Sequence, residues 1–200
     1  MARMVRGRPR EFDADAALDT AVDLFRRHGY EATSVAALTE AMGITPPSLY
    51  AAFGNKRELF DRVIERYEEQ RQAYIEDVAA QKTAEAAARR FLEGEVEFNT
   101  IPDEPHGCLT VVGALTTGPE DLDVSRALAR ARGTYQQTMR DRLAKGVEDG
   151  DLEKGTDVDA LARYLSTVHH GISVQAAAGA TSQELLDVVE VALAAVPAVR

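Results

Sequence analysis

The sequence predicts an all-α protein of about nine helices: a three-helix N-terminal unit carrying a helix-turn-helix, then a larger helical body. Three observations predict it. Apolar residues recur at helical spacing through nearly every segment, and no long run alternates as a half-buried strand would. Glycine and proline fall between these segments, where helices stop and start. The stretch 35–53, VAALTEAMGITPPSLYAAF, pairs two short helices about a glycine corner.

Residues 1–10 carry Arg3, Arg6, Arg8 and Arg10 with no acid, interleaved with Gly7 and Pro9, so the arm has nothing to bury. Arginines on such an arm suit a DNA minor groove, and Arg8 and Arg10 adjoin the first helix; the alternative is a solvated tail. Asp13 caps a helix expected to run to about His28, with Ala17, Leu18, Ala21, Leu24 and Phe25 inward and Gly29 ending it. Thr33 or Ser34 caps the next helix, and a hydroxyl at a helix N-terminus is also well placed against a DNA phosphate. Val35, Leu38 and Met42 form its buried face, Gly43 supplies a positive φ at the corner, and Ile44 plugs it. Thr45 caps the second helix of the motif, Pro46 and Pro47 fill its first turn, and Leu49 and Phe53 point inward. The second helix of a helix-turn-helix enters the major groove, leaving Thr45, Pro47, Ser48 and Tyr50 for the groove and its walls. Spacing alone also permits an ordinary helical hairpin. Asn55 and Glu58 have capping-box spacing and open a helix to about Gln81, with Phe60, Val63, Ile64, Tyr67, Tyr74 and Val78 as its stripe. Lys56, at its start, is the candidate for a phosphate contact.

Thr33-Ser34-Val35, followed by the run 48–60, SLYAAFGNKRELF, resembles the tetracycline-repressor (TetR) family of bacterial transcription regulators. The likeness covers the first third of the chain, with Thr39 standing where the family commonly has alanine. It implies a DNA-binding domain at 1–54 and an effector-binding and dimerisation domain at 55–200. It also implies a repressor released from a double-stranded operator by a small-molecule effector, acting as a homodimer.

In the body, Thr83 begins a helix to about Asn99 with Ala87, Phe91, Val96 and Phe98 inward, and Pro102 and Pro105 mark a loop. The uncharged segment 107–117 is apolar enough to be buried, as helix or strand. A long amphipathic helix over 120–148 follows. Thr156 with Asp159 has capping-box spacing for a helix to about Ala178, and Thr181 with Glu184 starts the last. These two helices are apolar on more than one side. The family pairs them across a dimer, which puts Leu161, Leu165, Val168, Ile172, Leu185, Val189, Ala192 and Val196 on the interface. The alternative is that they wrap the same subunit's core.

Two hundred residues, 45% of them hydrophobic, suffice for a sizeable core. No apolar run reaches the length of a membrane span and no signal peptide opens the chain, so a cytoplasmic protein with no membrane partner is expected. A single cysteine, Cys108, excludes an internal disulfide framework. The formal charge of −10 is unevenly placed: residues 1–62 hold nine basic and nine acidic residues, the rest fourteen and twenty-four. A neutral front on an acidic body suits a DNA-reading end held apart from the remainder.

The four histidines show no metal-ligand spacing, and no phosphate loop, nucleophile elbow or paired-carboxylate motif occurs, so neither enzyme nor metal or cofactor chemistry is expected. The effector pocket implied by the resemblance would be lined from Phe91, Phe98, His106, Cys108, Val111, Leu115, Tyr135, Met139, His169 and Gln175. Cys108 has two readings, a small core residue or a thiol that senses oxidants or electrophiles. The rival function is a helical bundle that binds or transforms a small molecule and no longer reads DNA.

Overall fold

The computed structural model describes residues 12–102, 107–115 and 121–199, and among these it holds nine helices. They are α1 (Ala14–Ala32), α2 (Val35–Met42), α3 (Pro46–Phe53), α4 (Lys56–Ala80) and α5 (Ala84–Asn99). After these come α6 (Leu109–Leu115), α7 (Leu122–Asp149), α8 (Val158–Ala177) and α9 (Ser182–Leu193). Among the described residues no strand pairs beyond one isolated bridge, Leu152 with Ala198.

The caps explain the boundaries. Asp13 accepts from the amides of Asp15 and Ala16, Thr83 from Ala86, and Asn55–Glu58 and Thr181–Glu184 close full capping boxes. Two expectations need correction. Gly29 kinks α1 rather than ending it: at φ 75° and ψ 177° it breaks the ladder, and the chain then turns helically again to Ala32. The cap of α8 is Asp157, which accepts from Ala160 N, while Thr156 donates its hydroxyl back to Glu153 O. The uncharged segment after Gly107 is a helix, α6.

At the corner between α2 and α3, Gly43 sits at φ 65°, and Ile44 N donates to Thr39 O at 3.0 Å. Thr39 is buried without leaving an orphan hydroxyl, because Oγ1 donates to Val35 O and Ala36 O. Gly43 has open space around it, so its φ is what calls for glycine.

Two hydrophobic cores form. The first gathers Phe25, Leu38, Leu49, Phe53, Phe60 and Tyr67 with Leu109 of α6 and Val124, Leu128 and Ala131 of α7. The second gathers Phe91, Leu92, Tyr135, Met139, Leu143, Leu165, Ile172, Leu185 and Val189. Helices α4 and α7 run through both, since Tyr67 and Ala131 belong to the first while Val78 and Leu143 belong to the second.

The apolar seam assigned to a partner subunit faces inward instead. Leu161, Leu165, Ile172, Leu185, Val189, Ala192 and Val196 are all buried in the chain's own second core, and Val168 packs against it half-buried. A side chain sealed against its own helices has no surface to give a second chain. The apolar residues that α8 and α9 turn outward are Tyr164, Val174, Val188 and Val191, the last 74% exposed.

Candidate nucleic-acid interface and effector core

Helix α3 hangs on two buried side chains, Leu49 and Phe53, so its other face is free. Thr45, Pro47 and Tyr50 are exposed and Ser48 half-buried. Thr45 Oγ1 lies 2.9 Å from Ser48 Oγ and accepts from Ser48 N, so the helix start is pre-ordered without a ligand. Ser34 is exposed and does the same for α2, accepting from Ala37 N. Two helix N-termini and one tyrosine ring make up a polar surface in this part of the molecule.

Thr33 does not belong to that surface. Its side chain is 1% exposed and its hydroxyl donates to Gly29 O at 2.7 Å, which ties down the kink in α1 and leaves nothing to offer a phosphate. Lys56 is half-buried with its ammonium 4.3 Å from the centre of the Tyr30 ring and 3.5 Å from Glu31 O. Desolvation there lowers its pKa, against the opposing pull of Asp121 and Glu31. Arg62, which spacing did not single out, donates to Ala52 O and lies 5.7 Å from the Phe53 ring, fastening the end of α3 to α4. Arg8 and Arg10 lie outside the described residues.

The body encloses a second set of polar groups. Arg71 of α4 pairs with Glu95 of α5, both sealed from solvent. Ser173 of α8 donates to the other Glu95 oxygen, and His169 brings Nε2 within 3.1 Å of Glu95 Oε2 without lining up as a hydrogen bond. Burial alone would raise the Glu95 pKa, but the Arg71 charge, His169 and the Ser173 hydroxyl hold it well below the usual carboxylate range. Aromatic rings surround the Arg71 guanidinium, Phe98 at 4.3 Å and Tyr74 at 4.7 Å being nearest. His169 stacks on Phe91 at 4.3 Å and lies 6.1 Å from Tyr135.

Phe91, Phe98, Tyr135 and His169 therefore do converge, around a charge pair not foreseen from the sequence. Met139 is buried in the same core. Cys108 and Val111 are buried in the first core instead, where Tyr67 Oη donates to Cys108 Sγ at 3.2 Å. Gln175 is exposed in a groove of about 620 Å³ between α8 and α9, so it lines no interior pocket. His106 and the side chain of Leu115 lie outside the described residues. A signal for the missed pair existed. Arg71 sits in register with Ile64, Tyr67, Tyr74 and Val78, and Glu95 with Ala88, Phe91 and Leu92, so each charge interrupts an inward apolar stripe. Among the described residues no group of three or more His, Cys, Asp or Glu could hold a metal ion, and no helix is long and apolar enough to cross a membrane.

Residues 17–63 match the family described as bacterial regulatory proteins, tetR family. The HTH-type transcriptional repressor ComR of Escherichia coli K12 is 35% identical over 187 residues, spanning 92% of this chain and 88% of its own. The HTH-type transcriptional repressor BdcR of the same strain is 30% identical over 190 residues, 90% of this chain and 87% of its own. Among solved structures, a cysteine mutant of the TetR family transcriptional regulator CifR, complexed with 26-base-pair double-strand operator DNA, superposes with a TM-score of 0.90. It is 45% identical and the match covers 96% of this chain and all of that one.

Proposed function

The chain belongs to the TetR family of bacterial regulatory proteins, and we propose that it represses transcription as a cytoplasmic homodimer released from its operator by a small molecule. The observation that carries this is the outward face of α3, where Tyr50 leaves 51% of its surface in solvent beside exposed Thr45 and Pro47 while its neighbour Leu49 is fully buried. A monomeric core has no use for a tyrosine held out on a rigid eight-residue helix; a major groove has. Ser34 and Ser48 stand at the two helix starts for phosphate contacts, Lys56 reinforces them, and Arg8 and Arg10 reach the adjacent minor groove.

Two copies place two such helices on successive turns of one DNA face, which is why the reading requires a dimer. The outward residues Tyr164, Val174, Val188 and Val191 supply the pairing surface, with the α8/α9 groove between them. The effector belongs to the domain of residues 55–200, where polar groups are buried among rings.

The test is selection of bound fragments from a random duplex library, followed by fluorescence anisotropy at two salt concentrations. A two-fold-symmetric site should be enriched, with affinity falling as salt rises. Enrichment of no sequence, or salt-independent binding, would overturn the reading.

A further inference from the structure

Between α4 and α5 a groove of about 310 Å³ opens to the surface, with Arg71 in its lining beside Phe98, Tyr74 and Gly94, and with Arg90 and Ile101 also lining it. This is the small end of the range for ligand pockets. Arg71 has a side chain 3% exposed, gives Nη2 to Glu95, and leaves Nε and Nη1 without a hydrogen-bond partner among the described residues. Buried donors are almost always satisfied, so two idle ones on a pocket residue ask for an acceptor oxygen from outside the protein.

The charges around the groove say what kind of oxygen. Arg71 is neutralised by Glu95, and Arg90 by Asp77 at 2.6 Å and Glu97 at 3.0 Å. A carboxylate or phosphate would find no uncompensated cation and would meet two carboxylates nearby, so the acceptor is an uncharged one. The walls say what carries it. Gly94 lets the Tyr74 ring stand directly against the α5 backbone, where a Cβ would lie 2.3 Å from the ring, and Phe98 faces the same guanidinium. Rings of this kind favour a flat apolar body.

Phe98 also reaches α1. The guanidinium of Arg26, on α1, lies 4.4 Å from the centre of the same ring that Arg71 approaches to 4.3 Å, and Arg26 donates to Gly107 O ahead of α6. One ring thus touches a cation of the groove and a cation of the DNA-reading unit.

We propose that a small, flat, neutral molecule bearing a carbonyl-type oxygen binds in the α4/α5 groove by accepting from Arg71, and that Phe98 passes its presence to α1 through Arg26. The proposal rests on the effector-released repressor described above.

Three probes of similar size test it by calorimetry on the full chain: acetophenone, with the acceptor; ethylbenzene, without it; and benzoate, charged. Acetophenone should bind about tenfold or more tightly than either of the others, the ratio expected for a hydrogen bond to a charged donor. Removing Arg71 alone would strand Glu95, so the variant is the double Arg71→Met/Glu95→Gln, which should bind acetophenone no better than ethylbenzene. Ile101→Trp, at the groove, should abolish binding while melting cooperatively. Arg26→Met, outside the groove lining, should still bind acetophenone but no longer shed the selected DNA fragment when it is added. Equal binding of acetophenone and ethylbenzene, preference for benzoate, no binding of any probe, or full binding by Ile101→Trp would each overturn the site. Release that survives in Arg26→Met would overturn the route. If acetophenone binds as described and no DNA fragment is ever selected, the site stands and the repressor reading falls.

Discussion

Tyr50 and Leu49 are neighbours with opposite fates, one half in solvent and the other sealed, a division that holds α3 to the core while leaving the tyrosine ring outside. Tyr50→Ala should therefore weaken operator binding by about 1–2 kcal/mol, the cost of one contact made through a hydroxyl or ring, while leaving the melting temperature unchanged. A parallel loss of affinity and stability would move Tyr50 from the interface to the fold. A second residue makes a pH prediction. His170 is held down to a pKa of about 4 by burial first, then by His169 and the Arg132 charge, against 6.5 for a free histidine. As pH falls through about 6.5 the unfolded chain takes up a proton that the folded chain refuses, so stability drops until about pH 4 and levels off for this group below it. Urea unfolding should show that loss in the wild type and a smaller one in His170→Gln. Cys108, also buried, should label with maleimide only when the chain is unfolded.

At the scale of elements, what was legible in the sequence and what was not separate along a physical line. Helix starts were legible because caps are local: Asn55 with Glu58 and Thr181 with Glu184 lie three residues apart and need nothing else. Asn55→Ala should accordingly cost about 1 kcal/mol of stability, read as a shift in urea midpoint at unchanged slope. The face that α8 and α9 bury was not legible, because helices apolar on two sides give no single stripe to follow. Leu165 and Val189 went inward, Val188 and Val191 outward, and only packing against α5 and α7 decides between them. The Arg71–Glu95–Ser173 cluster was hidden for a different reason. Its members come from three helices, 24 residues apart at the first link and 78 at the second, and no local pattern joins them. The candidate interface residues lay between these cases: the exposure of Thr45 and Tyr50 on α3 was readable from the motif, whereas the inward hydroxyl of Thr33 depends on a kink at Gly29.

The same division makes a prediction for the whole molecule. Val191→Asp, placed on the outward face of α9, should leave each chain folded and shift sedimentation from dimer to monomer, with operator affinity lost because two half-sites are no longer held together. Leu165→Asp puts an unpaired charge in a closed core and should unfold the chain instead, a loss of several kcal/mol. A folded monomer from Leu165→Asp would mean that α8 turns its other side to the core.

The two hydrophobic cores bear on how such a protein can be recombined. Phe25, Leu49 and Phe53 of the reading unit share their core with Leu109, Val124 and Leu128, which arrive more than fifty residues later in the chain. A splice made in the short link between α3 and α4 would cut beside the Asn55–Glu58 capping box, and it would bare the faces that α1 packs against α4 and α6. A chimera that borrows this operator specificity needs α1 to α4 together with α6 and the first half of α7, grafted as one spatial block from two stretches of sequence. Swaps drawn at the motif's own borders should express as aggregates, and swaps drawn along the first core as soluble protein.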